Sequence, residues 1–146
     1  MRGLVHASLA QPLPVETAGV IIGPYGVECS GLRALAIREF LGEYVSFVPD
    51  PVGHELLRSP GYLLERIRDV GYASGDCDDV AILGASLGMA VGLPARFVLL
   101  GFARDLPFTH IYTELWTSEG WAELDTTAPD PVPPGVYVWK SERIPV

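Results

Sequence analysis

A chain of 146 residues, 49% of them hydrophobic and only 19% charged, suits one compact domain and excludes general disorder. A net charge of -8 leaves nothing to neutralise phosphates in bulk, so no nucleic-acid partner is expected; the acidity serves solubility. No run approaches the roughly 18 apolar residues of a membrane span, and the N-terminal VHASLAQ is too broken for an export signal. No membrane contact is expected, the expected location is cytoplasmic with assembly into a larger particle left open, and the two cysteines, Cys29 and Cys77, are read as reduced thiols.

Residues 1–27, rich in Val, Ile, Gly and Pro, predict a short strand or two around residues 19–22. From 30 to 45, Leu32, Leu35, Ala36, Phe40, Leu41 and Tyr44 recur at helical spacing, until PDPVGH breaks the pattern. A second helix begins at SPGYLLERIRDV, where Ser59 caps the free amides and Pro60 takes the first helical position. GYASG ends it and leads into a third helix over 77–91, with Val80, Leu83, Leu87 and Val91 as its apolar stripe. Gly84 and Gly88, each about 1 kcal/mol worse than alanine in a helix, suggest the close approach of another backbone. Gly92 stops that helix, with Pro94 just beyond.

The pattern then turns to strands. ARFVLLGF is a continuous apolar run, as in a strand buried on both faces. FTHIYTELW and WAELDTT flank a hairpin turn in TSEG, and the proline-rich tail is expected to wrap the surface before one last short strand. Helices first and an antiparallel sheet afterwards make an α+β architecture, with the start of the Cys77 helix packed on the sheet.

Cys77 stands where a helix N-terminus can stabilise a thiolate, with Asp76 as candidate N-cap and Asp78 and Asp79 in the first turn. Those carboxylates suit a helix start but oppose a second negative charge on sulfur, so a nearby imidazolium has to tip the balance. His110 is the candidate. Alternation puts Phe108, His110, Tyr112 and Glu114 on one face of a strand. With a two- or four-residue loop centred on Ser118 and Glu119, Trp116 faces Trp121, Tyr112 faces Asp125 and His110 faces Thr127. Asp125 then becomes the diagonal neighbour of His110 and can fix its tautomer; a bulge at Gly120 would shift this register by one.

GDCDD opening a helix, GLPARFV closing it into a strand, THIYTELW and GWAELDTT together resemble the transglutaminase-like superfamily of papain-related thiol enzymes, most of all its short bacterial and phage-encoded members. The resemblance covers roughly residues 55–128. It implies one domain over 1–146, with a core at about 30–128 and a C-terminal extension at 129–146. It implies a Cys77–His110–Asp125 triad that attacks a glutamine side chain, a peptide bond or an isopeptide bond and forms a thioester. The thioester then passes to water (a cysteine peptidase or amidase) or to an amine (a transglutaminase). The backbone N–H of Cys77 would serve the oxyanion. Many family members add an upstream Trp or Gln; no Trp precedes Trp116 here, so Tyr72 or Tyr62 would have to serve. No cofactor is implied, and a partner protein could supply specificity.

Other residues carry plainer expectations. Cys29 reads as a core thiol, and His6 and His54 as surface or turn residues. The aspartate run lacks the glycine and distal glutamate of a calcium loop, so helix capping is favoured over calcium or magnesium; the cysteines are too far apart for a zinc site. Trp116 and Trp121 read as a stabilising cross-strand pair, and Arg96 as the partner of an unnamed carboxylate. Two competing accounts stay open: a catalytically idle module of the same fold, serving structure or binding in a phage particle, and a metal-dependent hydrolase using the aspartates.

Overall fold

In the computed structural model, the structure describes residues 1–51, 53–54, 56–127, 138 and 140–146. The chain opens with two helices, α1 (Arg2–Ser8) and α2 (Pro12–Ile22), where the sequence suggested strands. The prolines of α2 fall in its first turn, where a missing N–H costs nothing, and Pro14, Ala18 and Ile22 form a buried stripe at i, i+4 and i+8. Packing of that stripe overrides the strand preference of Val20, Ile21 and Ile22.

α3 (Ser30–Tyr44) buries Ala34, Ile37 and Leu41 and stops where Val45 turns extended. β1 (Val45–Phe47) follows. α4 (Pro60–Val70) starts as expected: Ser59 Oγ accepts from the Tyr62 amide at 3.2 Å, with Pro60 at the first helical position. Gly71, at φ 87°, ends it in the left-handed conformation that only glycine adopts without strain. β2 (Ala73–Gly75) pairs in parallel with β1, Val45 opposite Ala73 and Phe47 opposite Gly75. One residue later α5 (Cys77–Ala90) begins.

α5 is the central element, buried from Asp79 through Gly88, with the other helices packed around it and the sheet on its remaining side. A Cβ at Gly88 would lie 2.3 Å from Leu115 Cδ2, and one at Gly84 would lie 3.2 Å from Leu41 Cδ1. The space is therefore taken by neighbouring leucine side chains, not by another backbone. The sheet has the order β5-β4-β3-β6 and is antiparallel throughout: β3 (Ala95–Gly101), β4 (His110–Thr117), β5 (Gly120–Glu123) and β6 (Lys140–Pro145). β3 is central and largely buried; its Arg96 pairs with Glu114, Nε to Oε2 at 2.6 Å, and stacks 3.9 Å above the Trp121 ring.

The hairpin has the two-residue loop, Ser118 and Glu119, with Thr117 opposite Gly120 and Trp116 opposite Trp121. The two indole rings meet edge-to-face at 5.2 Å, and no bulge shifts the register. β6 supplies the last short strand, while the proline-rich stretch at 128–137 lies outside the described residues. Among the described residues no helix is long and apolar enough to cross a membrane.

Candidate active site

The first turn of α5 is built by its aspartates. Asp76 is the N-cap: its Oδ1 accepts from the amides of Asp78 at 3.1 Å and Asp79 at 3.3 Å. Cys77, half-buried, is the first helical residue, and its Sγ lies 3.9 Å from Asp78 Oδ1. Asp79 does something the sequence did not disclose. It is fully buried, and both its oxygens bond Arg58: Oδ1 accepts the backbone N–H at 2.7 Å, and Oδ2 pairs with the guanidinium. Burial lifts the Asp79 carboxyl above its ordinary range against the opposing pull of Arg58.

His110, the first residue of β4, directs Nε2 at Asp125 Oδ2 across 2.6 Å. The β4–β5 ladder continues past the last residue of β5, the Leu124 amide donating to Thr113 O at 2.9 Å, and this sets Asp125 beside the imidazole. The other carboxylate oxygen accepts from the Thr127 amide at 3.0 Å and its hydroxyl at 3.1 Å. Burial raises the Asp125 carboxyl, but the bonds from His110 and Thr127 outweigh it and hold it below the usual range. His110 is pushed up to about 9, first by its bond to Asp125 and then by Cys77, against the opposing effect of burial. The helix start and the hairpin thus bring Cys77, His110 and Asp125 together.

Cys77 and His110 open onto a cleft of about 780 Å³, walled by apolar Phe47, Leu99 and Phe108. Tyr62 and Tyr72 are half-exposed and are not among the described residues lining it. His54 does line it. No local pattern pointed there: the parallel β1–β2 pairing carries the chain after Phe47 alongside the residues that precede Cys77. Cys29 is half-buried at the N-cap position of α3 rather than inside the core, and its side chain makes no cap bond. Among the described residues no group of three or more His, Cys, Asp or Glu is arranged to hold a metal ion. A second cavity, about 610 Å³, lies at the far end of α5 between Met89, Trp121 and Val146, remote from the thiol.

The model of the transglutaminase-like superfamily matches residues 30–126. No match emerges among curated proteins. Among solved structures, the chain is similar to a candidate protease from Parabacteroides distasonis (TM-score 0.63, 14% identity, 83% of this chain and 25% of that one). It is also similar to a candidate cysteine protease from Cytophaga hutchinsonii (TM-score 0.58, 22% identity, 97% of this chain and 46% of that one). A third is EGTA-treated LapG of Legionella pneumophila (TM-score 0.53, 20% identity, 86% of this chain and 69% of that one). At these identities the likeness is one of fold, and the chain spans 25% and 46% of the first two structures.

Proposed function

The chain belongs to the transglutaminase-like superfamily, and from that premise we propose that it is a thiol acyl-transfer enzyme acting on amide bonds of a protein or peptide. Cys77 is the nucleophile, His110 the general base and acid, and Asp125 the residue that orients His110. The single observation carrying this reading is the 2.6 Å bond from His110 Nε2 to Asp125, on an imidazole whose proton affinity Cys77 raises as well.

With Nε2 committed to Asp125, Nδ1 is the nitrogen left for the thiol. It takes the Cys77 proton, and Sγ attacks the amide carbonyl to give a tetrahedral oxyanion, toward which the Cys77 backbone N–H donates. Collapse breaks the C–N bond. The proton on His110 leaves with the amine or ammonia, and a thioester remains on Cys77. Water or an acceptor amine then attacks the thioester, His110 takes its proton, and the acid or new amide departs as the thiol is restored.

The test is site-resolved iodoacetamide labelling, read by mass spectrometry from about pH 4 to 9 with Cys29 as internal control. Rapid labelling of Cys77 below neutrality, lost in His110→Ala, supports the reading. Labelling that follows an ordinary thiol near about pH 8.5 removes it and favours an idle module of the same fold.

A further inference from the structure

One wall of the cleft that holds Cys77 comes from the end of β1 and the chain after it, with Phe47, Pro49, Asp50 and His54 among its lining residues. Among its described residues, Leu56 and Leu57 are 49% and 47% exposed, so burial anchors neither. It is instead fastened at both ends. At the near end Phe47 stands opposite Gly75, and the Val48 amide donates to Gly75 O at 2.9 Å. At the far end Arg58 bonds both oxygens of Asp79, and its Nη1 reaches back to Asp50 Oδ1 at 3.5 Å.

Gly75 and Asp79 are the second residues before and after Cys77. A Cβ at Gly75 would lie 2.7 Å from Asp79 Cβ, so the two anchor points pack directly on each other. The wall is thus tied to both sides of the sulfur. The Arg58 side chain joins the wall, through Asp50, to the buried first turn of α5.

We propose that Arg58 is a positioning residue: by clamping the wall to Asp79 it sets the width of the cleft over Cys77, and so the bulk of the acyl donors that reach the sulfur. This rests on Cys77 being the acyl-accepting nucleophile. Arg58 itself touches no reacting atom. A single nitrogen, Nη1, meets both carboxylates, so the wall and the first turn of α5 share one cationic centre.

The experiment alkylates Cys77 with two reagents sharing one reactive group and differing in bulk, iodoacetamide and 5-iodoacetamidofluorescein. The readout is the ratio of the bulky rate constant to the small one, at Cys77 and at Cys29. The double variant Arg58→Met/Asp79→Asn removes the guanidinium link, keeping the backbone amide's acceptor and leaving no lone buried charge. Its ratio at Cys77 is expected to rise by more than about twofold while the ratio at Cys29 stays at the wild-type value. A Cys77 ratio within that factor of wild type overturns the proposal, as does an equal rise at Cys29, which would signify general loosening. If the double variant does not fold, Asp50→Ala, which keeps the buried pair and removes its link to the wall together with the Leu56 amide's bond to Asp50, decides by the same criterion. The wild-type pH profile with iodoacetamide alone answers separately whether Cys77 is activated, so a shifted ratio with an ordinary profile sinks the enzyme reading and leaves the clamp.

Discussion

His110 answers to two groups at once. Asp125 fixes one ring nitrogen, and Asp125 is itself held by the amide and hydroxyl of Thr127, so the imidazole cannot swing without breaking a chain of bonds. On the proposed mechanism His110 delivers a proton to the departing amine, which it does only while protonated. Amidase activity is therefore expected to fall as pH rises through about 9, in a pH–rate profile of the wild type. Asp125→Asn keeps the shape but removes the charge that holds the proton on the ring. It is expected to slow Cys77 alkylation at mildly acid pH by about tenfold or more, measured with iodoacetamide. Arg58→Met alone leaves Asp79 as an uncompensated buried charge, a change expected to cost about 3–5 kcal/mol in urea denaturation. Adding Asp79→Asn should recover most of that loss, because the orphaned charge is gone. A double variant as unstable as the single one would count against this account of the pair.

Among the elements, α5 carries the nucleophile and β4 carries the imidazole, so their packing sets the distance between the two. Thr113 on β4, fully buried, donates its hydroxyl to Ala81 O on α5 at 2.7 Å. Leu115 on the same strand fills the groove left by Gly88. Gly88→Ala would gain about 1 kcal/mol in helix propensity, yet its new methyl collides with a buried leucine that has nowhere to move. A net loss of about 1–3 kcal/mol is expected, read from the denaturation midpoint at unchanged slope. The hairpin was legible because a two-residue loop fixes every pairing beyond it; counting outward from Ser118 and Glu119 places Asp125 near His110. α2 was not legible, because its β-branched run and its prolines look alike in a strand and in a first helical turn.

Over the entire fold, the His110–Asp125 pair links stability to pH. The affinity of His110 for its proton is raised on folding, so its contribution is complete below about pH 6.5 and is lost as pH climbs through about 9. Asp125 is lowered, so its contribution is present above about pH 4 and lost as the acid limb falls through its folded value. The gap in melting temperature between wild type and His110→Ala is therefore expected to be widest near pH 5–6 and to close toward pH 9, each kcal/mol appearing as about 2–4 °C. A gap that stays constant across that span would show that the pair titrates as it does in the unfolded chain. What the order of residues dictates here is local: helical periods in α3, α4 and α5, the caps at Ser59 and Asp76, the register of one hairpin, and so the approach of Asp125 to His110. The helical state of α2, the partner of Asp79, the meeting of Cys77 with His110 and the tie from Arg58 to Asp50 and Asp79 needed the folded chain. Each depends on contacts between residues far apart in sequence, whose geometry is set by packing around α5 and leaves no trace in the spacing of neighbours along the chain.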